Sequence, residues 1–379
     1  MPVAVRPCLE AFSCGVSPAS VKSAQMTLTF PSRSLVCIVA AVLLQAAQKP
    51  VQKDAAPPLT MGEVLVWMDT GAESVRVVQL VERQGIDFTP KAEFLEDLRR
   101  LHSKPALLEK LQNARPLGPS ADPVFEQSAY SHLLACLQGA KTGASSDENK
   151  ECLAAESGEP AAARFALGNR ALLARQFTAA QELFKKAIEI APLIPDNHNY
   201  LGLAFQRAGN LKVAEAEYRE AMRLDPDYET PVSNLASVFL DLNDPERAES
   251  YARHAVVMPY SSAMAHHHLG LALIKQSKVH EGMAELFEAA RLEPDSPFHH
   301  VQIAEMLLAG RVYELALQQY REAAALDPSD VQTHRRILQV LLVLRRGDEA
   351  MSECETLSKL VPLREGRSCK DIVRGSHKK

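Results

Sequence analysis

Apolar positions in residues 161–364 follow two alternating helical patterns that repeat every 34 residues. In one copy, Asp196 to Arg207 (DNHNYLGLAFQR) carries apolar residues at helical spacing, and Gly209-Asn210 signals a turn. Leu211 to Leu224 then carries a second helical pattern ended by Pro226. Each copy therefore predicts a helical hairpin. Small residues recur at fixed places: Gly168, Gly202, Ala236, Gly270 and Ala304; Ala180, Ala214, Ala248, Gly282, Ala316 and Ala350; Ala187, Ala221, Ala255, Ala289 and Ala323. Helices approach closely only where side chains are small, so these are crossing positions, with Leu201, Phe205, Tyr218 and Leu224 filling the space around them. A lone hairpin cannot bury that surface, whereas six stacked hairpins can; the expected fold is an all-α solenoid with a long concave face.

A closing proline (Pro192, Pro226, Pro294, Pro328, Pro362) completes the pattern, which resembles the tetratricopeptide repeat. The copies run 161–194, 195–228, 229–262, 263–296, 297–330 and 331–364. In the third the proline slips to Pro259, yet Leu269 and Gly270 return to register, which predicts a variant turn. In the sixth, Leu338 and Leu357 replace small residues, as suits a terminal repeat. Residues 127–160 read as a degenerate preceding repeat, with Tyr130 to Leu137 one period before Arg164 to Ala171 and a polar second half, Asp147 to Glu156.

The N-terminal part is different. Arg33 precedes an unbroken apolar run from Leu35 to Leu44, followed by Gln45-Ala46-Ala47, which is the plan of a secretory signal peptide within residues 1–47. Cleavage is expected after Ala46 or Ala47, the mature chain beginning near Gln48; an uncleaved inner-membrane anchor is the alternative, and Met26 is a candidate true start. The expected location is exported, periplasmic or cell-envelope. A linker (48–59) leads to a small helical module (60–115), in which Ser74 to Val81 is amphipathic, Gly85 stops that helix and Thr89-Pro90 predicts the next helix start. A further helix is expected after Pro105. The string LVERQGIDFTP with LRRL and ALLEKL resembles a module that accompanies repeats in some exported or membrane-linked bacterial proteins, and this resemblance implies a bacterial interaction protein. Residues 116–126 read as a second linker, and 365–379 as a solvated basic tail.

A net charge of −5 and the lack of aromatics within the basic tail argue against nucleic-acid binding. No HExxH, P-loop, GxSxG or CxxC motif is present, so no catalytic constellation, cofactor or metal is expected. His266-His267-His268 diverge by about 100° each around a helix and cannot converge on one metal. His266, His300 and His334 share one repeat place, where the family often carries a large aromatic, and are expected to pack between the helices of a hairpin. Four cysteines follow the leader; Cys136 and Cys152 are a candidate disulfide holding the weak hairpin, the alternative being two unrelated buried thiols.

The family resemblance places the first helix of each hairpin on the concave face. It thereby implies a peptide-binding set of Asn199, Tyr200, Asn234, His267, His268, Gln302, Arg335 and Arg336, with Leu203, Ser237, Leu271 and Glu305 one turn on. A third row, Leu172, Gln206, Leu240, Ile274, Leu308 and Leu342, suits either an extended or helical peptide or packing between neighbouring first helices. The family's carboxylate clamp and its asparagine ladder are both absent from these positions. The expected function is a non-enzymatic scaffold binding a protein or peptide partner in a bacterial envelope assembly; the alternative is an accessory subunit of an envelope enzyme or secretion complex whose partner carries the chemistry. Membrane contact is expected only through an uncleaved leader.

Overall fold

The computed structural model describes residues 58–69, 74–101, 103–116, 130–137, 148–156, 158, 160–259, 261–361 and 369. The leader, the 48–59 linker up to residue 57, the 116–126 linker beyond Pro116 and the basic tail apart from Cys369 lie outside the described residues. Residues 56–379 belong to one compact unit. Among the described residues the fold is all-α, the non-helical pairing being two isolated bridges, Leu59 with Ile86 and Ile86 with Pro116. No helix among them is long and apolar enough to cross a membrane.

The N-terminal module contains four helices: α1 (Met61–Asp69), α2 (Ser74–Gln84), α3 (Ala92–Arg100) and α4 (Pro105–Asn113). Thr60 and Glu63 open α1 with a reciprocal capping box: the Thr60 N–H donates to Glu63 Oε2 (2.9 Å) and the Glu63 N–H to Thr60 Oγ1 (3.1 Å). Gly85 ends α2 at φ +76°. Helix α3 starts at Ala92 with Lys91 at its cap, two residues beyond the expected start at Thr89-Pro90; residues before a proline favour extended backbone, and the later start lets Phe88 meet Phe94 edge to face at 5.3 Å.

Residues 160–360 hold twelve helices in six antiparallel pairs. Each first helix ends in a left-handed residue at one repeat place: Arg175, Gly209, Asn243, Ser277, Arg311 and Arg345. The following N–H reaches back to close the turn, as from Asn210 to the Phe205 carbonyl (2.9 Å). In the third repeat the second helix stops at Val257 and Met258 is extended before Pro259, so the slipped proline shortens that helix by one residue while Ala263 restarts in phase.

Small places face large ones across each hairpin. A Cβ on Gly168 would lie 2.8 Å from the Phe184 ring, and one on Gly202 would lie 2.8 Å from Tyr218. In the fourth repeat two glycines meet, and a Cβ on Gly282 would come within 2.6 Å of the Gly270 carbonyl oxygen. The sixth repeat exchanges the two sizes, with buried Leu338 at the glycine place and Cys354 at the aromatic place of the same core cluster. This exchange accounts for the apparent decay at Leu338. Cys354 is joined to Cys369.

Helical residues 130–137 and the helix Glu148–Ala155 form the hairpin before the first full repeat. His132 contacts Glu151 across it at 2.6 Å, with the same 19-residue separation as His198 and Glu217. That contact sets His132, not Tyr130, opposite Arg164, and makes this copy two residues shorter than the period. In this register Cys136 and Cys152 occupy the places of Gly168 and Phe184, and they are joined by a disulfide.

Candidate binding face

First helices of neighbouring repeats touch one another, whereas neighbouring second helices stay farther apart, so the first helices line the inner, concave side of the stack. Along that side, consecutive repeats are stitched by polar pairs 35 residues apart. Asn234 Nδ2 donates to Asn199 Oδ1 (3.0 Å), and Ser233 Oγ lies 3.0 Å from His268 Nδ1. Asn199, His267 and His268 are buried, while Tyr200, Asn234, Gln302 and Arg336 are half-buried. The Tyr200 ring packs on Phe165 (4.8 Å) and Phe184 (5.8 Å) of the preceding repeat, and Arg336 pairs with Glu305 (2.8 Å). Arg335 is the one exposed member of the eight residues expected to bind a peptide. The third row is also engaged in packing: Leu240 is buried, Leu172, Ile274, Leu308 and Leu342 rest against core clusters, and Gln206 bonds Ser237, Asp241 and Tyr218.

The module covers one edge of this face. Helix α2 lies against the starts of the first helices of repeats two and three, where Arg76 makes a bidentate pair with Asp196 (2.9 and 2.7 Å). The guanidinium also stacks over Tyr228 at 3.6 Å and stands 5.7 Å from Trp67. Tyr228 Oη donates to Asp196 Oδ1 (3.0 Å) and accepts from Asn199 Nδ2 (3.2 Å), so the chain of bonds runs from the module into the inter-repeat stitching. Burial disfavours the Arg76 charge, but Asp196, Tyr228 and Asp225 outweigh it and hold the pKa above its ordinary value. One helical stretch further, Arg83 reaches Asp225 (2.8 Å) and Asp227 (3.4 Å). The apolar core is continuous across the junction, from Leu59, Trp67 and Leu80 to Phe165, Ile194 and Leu201.

The histidines divide into two groups. His132, His198, His266 and His334 each set Nδ1 against a glutamate of the same hairpin at 2.6 to 2.8 Å, and His300 faces Gln319 at 3.0 Å. These clasps sit between the two helices of a hairpin. The recurring His-to-Glu/Gln spacing of 19 residues was the sequence signal that would have added His132 and His198 to the set. His267 and His268 form the other group: burial lowers their pKa values to about 3 and about 4, respectively, with His268 and His299 adding to the effect on His267. Among the described residues no group of three or more His, Cys, Asp or Glu side chains is placed to hold a metal ion.

Residues 165–229 and 233–297 match the sequence model of the tetratricopeptide repeat. No curated protein matches the chain at a significant level. Among solved structures, pilF of Pseudomonas aeruginosa is 23% identical over 57% of this chain and 97% of its own, with a TM-score of 0.45. TTC0263, a thermophilic tetratricopeptide-repeat protein of Thermus thermophilus, is 23% identical over 47% of this chain and 97% of its own, again at 0.45. A chain of the Cut9–Hcn1 hetero-tetramer of APC/C superposes over 89% of this chain and 59% of its own at 13% identity and a TM-score of 0.52, a likeness of fold.

Proposed function

Because this chain is a tetratricopeptide-repeat protein, we propose that it is a non-catalytic scaffold that docks a protein segment on the inner face of its solenoid and works in a bacterial cell envelope. The fold itself suggests a protein-interaction scaffold. The observation that carries the finer reading is the division of the inner face: α2 closes its edge over repeats two and three through Arg76 and Arg83, while Phe298, Gln332, Arg335 and Gln339 remain exposed on repeats five and six. A scaffold that covers part of its own face and leaves the rest uncovered directs a partner to the uncovered part.

The envelope location is supported by the apolar leader and by disulfides at both ends of the stack, Cys136–Cys152 and Cys354–Cys369, since such bonds persist in oxidising compartments. A photo-crosslinking side chain placed at Gln332 or Gln339 in native cells should yield partner adducts, and one at Lys212 or Arg219 on an outer helix should not. Adducts from the outer positions alone would overturn the inner-face reading, and recovery of the mature chain in the cytoplasm would overturn the envelope reading.

A further inference from the structure

Asp196, the anchor for Arg76, has a counterpart three periods later in Phe298. There the edge is uncovered: the Phe298 side chain is 42% exposed, with its ring resting on His267 (5.0 Å) and His299 (5.3 Å). On the next first helix Arg335 is exposed and has no ion pair among the described residues, and eight residues further on Val343 is 50% exposed. The acids near this edge are already committed. Glu305 pairs with Arg336 (2.8 Å), Glu293 faces His299 (3.0 Å), Asp330 accepts from the N–H groups of Gln332 and Thr333, and Asp327 accepts from Ser329. The uncommitted charge is therefore the positive charge of Arg335, flanked by apolar surface on both sides.

We propose that the uncovered edge of repeats five and six, Phe298–Arg335–Val343, binds an acidic segment with one apolar side chain on each side of a carboxylate. This inference rests on the inner-face reading above and specifies the chemistry of the occupant. Eight helical residues from Arg335 to Val343 advance about 12 Å, which an extended peptide spans in about four residues. Neighbouring helices lie roughly 8–10 Å apart, which sets Phe298 about three extended residues from Arg335 on the other side. The expected occupant is thus apolar, then acidic about three residues on, then apolar about four residues after that. Arg335 recognises the carboxylate, and Phe298 and Val343 take the flanking side chains.

The test uses the full chain and dye-labelled synthetic peptides in a Gly/Ser background: two leucines at those spacings around a central glutamate, the same peptide with a central lysine, and an array of unrelated acidic, basic and neutral sequences. The glutamate peptide is expected to bind about tenfold more tightly than its lysine twin, and Arg335→Glu to reverse that order. Phe298→Ala should weaken both, and Arg219→Glu on an outer helix should change neither. Both substituted inner-face side chains are exposed, so folding should survive, and circular dichroism checks it. Equal binding of the twins, or preference for lysine, overturns the proposal. If array peptides bind the inner face without regard to acidity, the proposed chemistry fails while the inner-face reading stands; if no peptide binds, both fail.

Discussion

Repeats two and three and repeats five and six are built on the same period, yet their equivalent edges do opposite things. Asp196 is nearly fully buried beneath Arg76, whose side chain is only 12% exposed, whereas Phe298 at the same repeat place projects from the fold uncovered. The backbone scaffold is common to both; the difference lies in one side chain per repeat and in what packs on it. A periodic fold can thus carry an internal junction at one end and an exposed surface at the other without changing its hairpins.

The largest expected effect comes from breaking the covered side. Arg76→Ala leaves Asp196 buried without its cation and should destabilise the chain by about 3–5 kcal/mol, because an unpaired buried charge is costly. Phe298→Ala should cost much less, since its ring is partly exposed already. Paired urea melts decide this contrast, and equal losses would erase the distinction between the two edges.

Acid should weaken the stack at its centre. His267 and His268 have folded pKa values of about 3 and about 4, below the unfolded value near 6.5, because burial disfavours their charged forms. Below that unfolded value the unfolded chain binds protons that the folded chain does not, so their stabilising contribution, complete above about pH 6.5, is lost progressively as pH falls toward 4 and 3. The loss should reach roughly 2 kcal/mol for each histidine at pH 5. Replacing them together by Phe and Gln should flatten the stability profile between pH 7 and 5; an unchanged slope would remove this account.

Reduction should act on the covered end. Cutting Cys136–Cys152 frees a hairpin whose second helix spans only Glu148–Ala155, and the loop-entropy argument gives about 3 kcal/mol. Hydrogen exchange under reducing conditions should rise in residues 130–155 before it rises in repeats three to five. The smallest effect belongs to the turns. Arg311 and Arg345 hold φ near +60°, so changing either to Gly should leave stability within about 1 kcal/mol of wild type and most often raise it, measured by thermal melting.

The fold was legible in the sequence because close helix crossings demand small residues and the crossings recur. Gly202 and Ala214 announce their hairpin from spacing alone. The exchange of Leu338 with Cys354 was harder to read, since size complementarity appears only when the two helices are set side by side. Asn199, Asn234 and His268 were placed on the first helices, but that surface also touches the neighbouring repeat, and their hydrogen bonds run between repeats. The docking of α2 left no periodic trace: Arg76 and Asp196 stand 120 residues apart, and neither position belongs to a recurring charged pattern.

The module seals the edge of the early repeats and leaves the late repeats independent of it. Hydrogen–deuterium exchange on the wild-type chain and on Arg76→Ala tests this directly. Protection should fall in residues 58–113 and at the helix starts around Pro195 and Glu229, with residues 297–360 unchanged. Equal loss of protection in 297–360, or no loss around Pro195, would contradict it.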